Sequence, residues 1–244
     1  MQRRIFLASL ASLPFVGQTR AATPEWEARL ITRGIDENSP TLGLHVKLAK
    51  GWKTYWRVPG EAGIPPQIKI EGSGITTTKI LYPLPQRLID DSGESIGYHD
   101  EVVFILQPSF ADGAARKPLQ GKLNAFLGVC QIICKPVKFE ASLASAVADE
   151  QLFDRFMMQV PKQAQFVSTA EQSDKLLELA LTDQVHDIFI DGPDTLYFRK
   201  PELNGKTARL KIDGLDEGQN LKGEKLRIIA SVNGKGLEQT VVIS

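Results

Sequence analysis

The sequence predicts an all-β protein: two β-sandwich domains joined by a short helix and a linker. Three observations predict it. Apolar residues recur with period two in most segments. Clusters rich in Gly and Pro separate those segments at short intervals. One stretch alone changes to a helical period.

The opening MQRRIFLASLASLPFVGQTRAATPEW reads as an export signal over residues 1–21. Arg3 and Arg4 form a basic n-region, Ile5 to Val16 an apolar h-region, and Thr19-Arg20-Ala21 a small-x-small cleavage site. About a dozen apolar residues are too few to span a bilayer. Arg3-Arg4-Ile5-Phe6-Leu7 fits a twin-arginine signal as well as Sec export. The expected destination is the periplasm, and cleavage is expected near Ala22. In TLGLHVKL, Leu42, Leu44, Val46 and Leu48 share one face, with His45 and Lys47 on the other. In VKFEASL, Val137, Phe139, Ala141 and Leu143 alternate with polar residues, and GKLNAFLGV reads as a further strand. EVVFILQ reads as a strand buried on both faces. The turn clusters VPGEAGIPP, EGSG and ADGAARKP lie between them.

The helical period appears in ADEQLFDRFMMQV. Asp149 caps it, Leu152, Phe153, Phe156 and Met157 fall at helical spacing, and Pro161 stops it. The polar PKQAQFVSTAEQSD then reads as linker. LLELALT, DIFID, TLYFRK, TARLKID, EKLRIIASV and LEQTVVIS read as strands, the last two flanking a hairpin signal at Asn233-Gly234-Lys235-Gly236. The predicted division is signal peptide 1–21, first domain 22–148, helix and linker 149–175, and second domain 176–244.

Charge excludes some partners. The chain carries 29 basic and 29 acidic side chains; loss of Arg3, Arg4 and Arg20 with the signal leaves 26 against 29. A slightly acidic protein is not expected to bind nucleic acid or an anionic membrane surface. No window after the signal holds 18 uninterrupted apolar residues, so the exported chain is expected to be soluble.

The chemistry concentrates in GVCQIICKPV. It holds Cys130 and Cys134, the only two cysteines. An oxidising destination allows them to pair. As a staple the pair is weak, because closing a five-residue ring contributes about 2 kcal/mol on the loop-entropy model. Residues i and i+4 lie about 13 Å apart in a straight strand, whereas a disulfide needs Cβ atoms about 3.8 Å apart. Pairing therefore requires a tight bend, and the pair falls between two predicted strands, at a hairpin tip. Strained, exposed disulfides are the exchangeable ones. A metal reading stands beside this, since C-x₃-C with His45, His99 or His186 is a copper-type ligand pattern. Two thiols and one imidazole are a thin set for zinc. Spacing leaves staple, metal clip and redox couple all open. Tyr98-His99-Asp100 has no G-x-S-x-G partner and supports no hydrolase chemistry.

Three segments together carry a family resemblance: VKLAKGWKTYWRVPGEAGIPP, LYPLPQRLIDDSGESIGYHDEVVFIL and GVCQIICKPVKFEASL. They resemble the periplasmic N-terminal region of the DsbD/ScsB thiol–disulfide interchange reductases, over residues of about 40 to 145. The resemblance implies an immunoglobulin-like domain bearing a redox dithiol that passes electrons to partner proteins. It implies Cys134 as the attacking thiol and Cys130 as the resolving one. No cofactor is implied, because the dithiol itself carries the electrons, and no metal is expected at the site. The implied partners are periplasmic thioredoxin-like proteins and a separate membrane-embedded electron donor, since the chain shows neither a membrane domain nor a C-x-x-C module. Tyr55 and Trp56 are implied as the aromatic wall beside the dithiol and as partner contacts. The stretch QRLIDDSGESIG matches the family's shielding loop but has no aromatic, so Leu88 and Ile89 are the expected cover and partner contacts. Asp90, Asp91 and Glu94 read as a solvated turn, and Lys135 as a cation that favours the Cys134 thiolate. The alternative is a copper-binding or redox-inert partner-binding module on the same fold.

Overall fold

The structure is a computed structural model that describes residues 24–34, 41–61, 63–72, 74–90, 93–111 and 120–244. The expected export signal lies outside the described residues, and so does Asp91. In the first half the period-two segments form β1 (Trp26–Thr32), β2 (Leu42–Leu48), β3 (Lys53–Gly60), β4 (Gln67–Gly72), β5 (Ile75–Leu81) and β6 (Gln86–Asp90). They are followed by β7 (Gly93–His99), β8 (Glu101–Phe110), β9 (Gly121–Cys130), β10 (Cys134–Ser142) and β11 (Val147–Ala148). One sheet has the order β11-β1-β2-β8-β5, and the facing sheet β10-β9-β3-β7-β6, with β4 also paired to β9. The fold is all-β and immunoglobulin-like.

Alternation explains the core. Leu42, Leu44, Val46 and Leu48 of β2 turn inward, as do Leu123, Ala125, Leu127 and Val129 of β9. Val102 to Leu106 of β8 are buried at every position. The reason is α1 (Glu150–Met157), which packs on β8 and β1 and covers the outer face of that sheet. Asp149 caps α1 by accepting the Leu152 N–H at 3.2 Å, and Leu152, Phe153 and Phe156 are buried.

The second half forms β12 (Lys162–Gln163), β13 (Val167–Ser173), β14 (Leu176–Leu181), β15 (Asp187–Asp191) and β16 (Tyr197–Phe198). Then come β17 (Glu202–Asn204), β18 (Thr207–Asp213), β19 (Lys225–Val232) and β20 (Lys235–Val242). Sheets of order β12-β20-β19-β15 and β13-β14-β18-β16 enclose a second core, with β17 on β18. Asn233 and Gly234 make the two-residue turn between β19 and β20 with φ of 50° and 75°, the positive values that a type I′ hairpin needs. Among the described residues no helix is long and apolar enough to cross a membrane.

One expectation needs correction. The stretch read as linker is strand: β12 pairs with β20 and β13 with β14. Its polar residues misled because β13 is a sheet edge, while Phe166, Val167 and Ala170 point into the core. The buried Gln239 side chain accepts the Phe166 and Val167 N–H groups at 2.7 and 2.8 Å and donates to the Val167 carbonyl. That amide replaces ladder hydrogen bonds where the strand register shifts.

The two sandwiches share apolar and ionic contacts. Phe189 and Ile229 join the first core, and the Phe189 ring meets Trp56 edge-on at 6.2 Å. Arg87 on β6 is nearly buried. It donates to both Asp187 oxygens at 2.9 and 3.0 Å and to the Ile188 carbonyl at 2.7 Å, and it lies over the Phe189 ring. Glu94 on β7 pairs with Arg87 and accepts the Tyr197 hydroxyl.

Candidate functional site

The β9–β10 hairpin places Cys130 directly opposite Cys134 in the antiparallel ladder. Gln131, Ile132 and Ile133 make the turn, and the two Cα atoms are 4.1 Å apart and disulfide-bonded. This is the tight bend that the spacing required. The two sulfurs are not equivalent: Cys130 is 1% exposed, whereas Cys134 is exposed beside Ile132 and Ile133, themselves 88% and 73% exposed. A solvent-borne thiol therefore meets Cys134 first.

Tyr55 reaches both sulfurs. Its hydroxyl donates to Cys130 Sγ at 2.8 Å and lies 3.0 Å from Cys134 Sγ. A disulfide sulfur has no proton, so the single phenolic O–H is the donor and the two sulfurs share it. Burial, and next the nearby Asp90 charge, push the Tyr55 pKa up to about 12, so it stays protonated through the neutral range.

The ring is held in place by missing side chains. A Cβ on Gly63 would lie 2.7 Å from two Tyr55 ring carbons, and one on Gly128 would lie 3.1 Å from a third. A Cβ on Gly97, opposite Tyr55 on β7, would lie 2.0 Å from the Thr54 carbonyl oxygen. Glycine at 63 and 128 leaves room for the ring, and glycine at 97 lets β7 approach β3. The Thr54 hydroxyl donates to the Gly128 carbonyl at 2.8 Å and ties β3 to the cysteine hairpin.

Lys53 lies two residues before Tyr55 on the same strand face and pairs in register with Cys130. It is 2% exposed, and its Nζ donates to Asp90 Oδ2 at 2.6 Å and Ser95 Oγ at 3.1 Å. Its role is not visible in the sequence, because a lysine in a strand reads as solvated. The available signal was its position two residues before Tyr55, on the same face of the strand GWKTYWR.

The other expected residues are distributed as follows. Trp56 turns to the face opposite Tyr55, is buried in the sandwich and packs on Phe189, so it is core rather than wall to the disulfide. Leu88 is 4% exposed and sits opposite Ser95, on the sheet face that carries Lys53 and Tyr55, so it is buried on the site's side rather than a surface contact, while Ile89 is 71% exposed on the other face. Asp90 and Glu94 are not a solvated turn: the buried cations Lys53 and Arg87 need counter-charges, and these carboxylates supply them. Lys135 pairs with Glu25 at 2.6 Å and lies over the Trp52 ring, so its charge is shared beside Cys134.

The histidines do not gather at the sulfurs. His45 Nδ1 accepts from Arg29 Nε at 3.1 Å, which leaves Nε2–H to donate to Glu101 at 2.9 Å, and burial lowers its pKa. His99 Nδ1 is 3.4 Å from the Trp52 carbonyl, and His186 Nδ1 accepts the Asn233 N–H. Among the described residues no three His, Cys, Asp or Glu side chains converge as metal ligands.

Residues 20–145 match the family model described as thiol:disulfide interchange protein DsbD, N-terminal. The chain belongs to this DsbD N-terminal family. It is a thiol–disulfide interchange module, and Cys130–Cys134 is the pair that fits that description. The fold is similar to the crystal structure of the N-terminal periplasmic domain of ScsB from Proteus mirabilis. The TM-score is 0.74 at 23% identity, with 93% of this chain and 96% of that chain covered. Comparison with curated proteins finds no match. The stretches GWKTYWR, PGEAG and GVC supply Tyr55, Gly63 and Gly128, which meet at one ring, and IGYHD supplies Gly97 against the Thr54–Tyr55 backbone.

Proposed function

We propose that the protein is a periplasmic thiol–disulfide interchange protein that relays two electrons through Cys130 and Cys134 to partner proteins. The observation that carries this reading is the unequal burial of two sulfurs held beneath one donor hydroxyl. A reduced partner's thiolate attacks the accessible Cys134 Sγ. The partner–Cys134 bond forms, the Cys130–Cys134 bond breaks, and the electron pair departs on Cys130. The partner's second thiolate then attacks its own sulfur, releasing Cys134 and leaving the partner oxidised. Passing the electrons on reverses these steps: the Cys134 thiolate attacks a substrate disulfide, and Cys130 resolves the mixed disulfide. Tyr55 donates a hydrogen bond to whichever sulfur bears the negative charge.

The dithiol is its own electron carrier and needs no cofactor. Thioredoxin-like proteins of the periplasm are the proposed partners, with a separate membrane-embedded protein as the electron source. Ile132 and Ile133 at the hairpin tip offer exposed apolar contact beside Cys134. The export signal supports the compartment, as does the similar domain of ScsB, itself described as periplasmic. The test is a mixed-disulfide trap: with Cys130→Ala, Cys134 attacks a partner but is not released, so the covalent adduct accumulates.

A further inference from the structure

Lys53 has no role in the exchange steps above, yet it is a buried cation in the wall of the site. An ammonium removed from water is unfavourable unless paired. Its carboxylate partner, Asp90, sits on the edge strand β6 at 39% side-chain exposure, whereas Lys53 is anchored in the central β3. Ser95 on β7 completes the set. Lys53 thus joins the β6–β7 hairpin to the strand that carries Tyr55.

Its distance from the chemistry is short. The Cβ atoms of directly paired residues such as Lys53 and Cys130 lie about 5 Å apart. Lys53 Nζ lies 5.9 Å from the Tyr55 ring centroid, and that ring's hydroxyl is 2.8 Å from Cys130 Sγ. When the disulfide opens, Cys130 receives the electron pair at a position only 1% exposed, where water contributes little to holding the charge.

We infer that Lys53 is the positioning residue that sets the acidity of the Cys130 thiol, and that Asp90 partly cancels its charge. The inference rests on the relay reading. The Lys53 ammonium makes the Cys130 thiolate a better leaving group, and the Asp90 carboxylate tempers that effect. Among the described residues, the other charged or titratable groups around the site are Tyr55 on β3, His99 on β7, opposite Lys53, and Lys135 on β10 with its partner Glu25. None of the substitutions used in the test alters them.

The test measures the Cys130 thiol pKa by thiolate absorbance in full-length protein carrying Cys134→Ser. Asp90→Asn should lower that pKa, and Lys53→Met should raise it, each by about 1 unit. Lys53→Arg keeps the charge and should keep the original value. Asp90→Asn leaves the buried lysine in place, so it reports even where Lys53→Met fails to fold. An unchanged thiol pKa in folded Asp90→Asn protein, or shifts of the same sign in both variants, would overturn the inference and leave the relay standing. Absence of any mixed disulfide from Cys130→Ala would overturn the relay itself, whatever the thiol pKa does.

Discussion

Replacing Tyr55 with Phe removes one oxygen atom and keeps the ring. The hydroxyl lies 2.8 Å from Cys130 Sγ and 3.0 Å from Cys134 Sγ, and Cys130 is 1% exposed, so water does not readily replace the lost donor. A hydrogen bond to a neutral disulfide sulfur is weak, whereas one to a charged group contributes about 1.5–3 kcal/mol. The loss therefore falls on the thiolate and on the transition state leading to it. At about 1.4 kcal/mol per factor of ten, Tyr55→Phe should slow reduction of the disulfide by roughly 10- to 100-fold. Stability should change by less than about 1 kcal/mol, because the ring still fills the space that Gly63 and Gly128 leave. The assay is stopped-flow reduction by dithiothreitol and by a thioredoxin-like dithiol, with thermal melts of both oxidised proteins. Dithiothreitol makes no docking contacts, so slowing with both reductants locates the effect at the sulfurs. A rate within twofold of the parent, or a large fall in melting temperature without a rate effect, would refute the reasoning.

Two further outcomes follow from the buried charges. Arg87→Ala strands the Asp187 carboxylate, whose pKa burial already raises, and should cost about 3–5 kcal/mol in urea unfolding; Asp187→Asn in the same chain should recover part of that loss. No recovery would put the loss on the Glu94 pair, the Ile188 carbonyl and the packing on Phe189 instead of on Asp187. His45 has its folded pKa lowered, first by burial, so its neutral form is the one that suits the fold. Its stabilising contribution is complete above the unfolded value of about 6.5 and is lost as pH falls through the folded value, with a slope of at most about 1.4 kcal/mol per pH unit. Urea titrations from pH 8 to 5 should show a flatter slope for His45→Gln than for the parent, and equal slopes would contradict this.

How much of the site was legible depended on how local its causes are. Cys130 and Cys134 were legible because their spacing, between two period-two segments, admits pairing only across a hairpin. The core of β2 and β9 followed from alternation, and α1 from its cap and spacing. The Tyr55 contact came from family resemblance; its neighbour Trp56 failed under the same resemblance because consecutive strand residues face opposite sides. The Lys53–Asp90 pair was not legible. It depends on the order β3-β7-β6, which brings together residues 37 apart in sequence. The stretch 161–174 misled for a related reason: an edge strand needs few apolar residues, and its ladder is completed by Gln239, more than 70 residues away.

The central claim is that Cys130–Cys134 exchanges with a partner through Cys134. The direct measurement is a diagonal non-reducing/reducing gel of cells carrying Cys130→Ala or Cys134→Ala, with melting temperatures of both purified variants. The account predicts a mixed disulfide that accumulates with Cys130→Ala and far less with Cys134→Ala, since Cys134 is exposed and Cys130 is 1% exposed. It also predicts a modest stability loss of about 2 kcal/mol, the limit set by a five-residue ring. No adduct in either variant, together with a large drop in melting temperature, would contradict it and make the disulfide a structural staple.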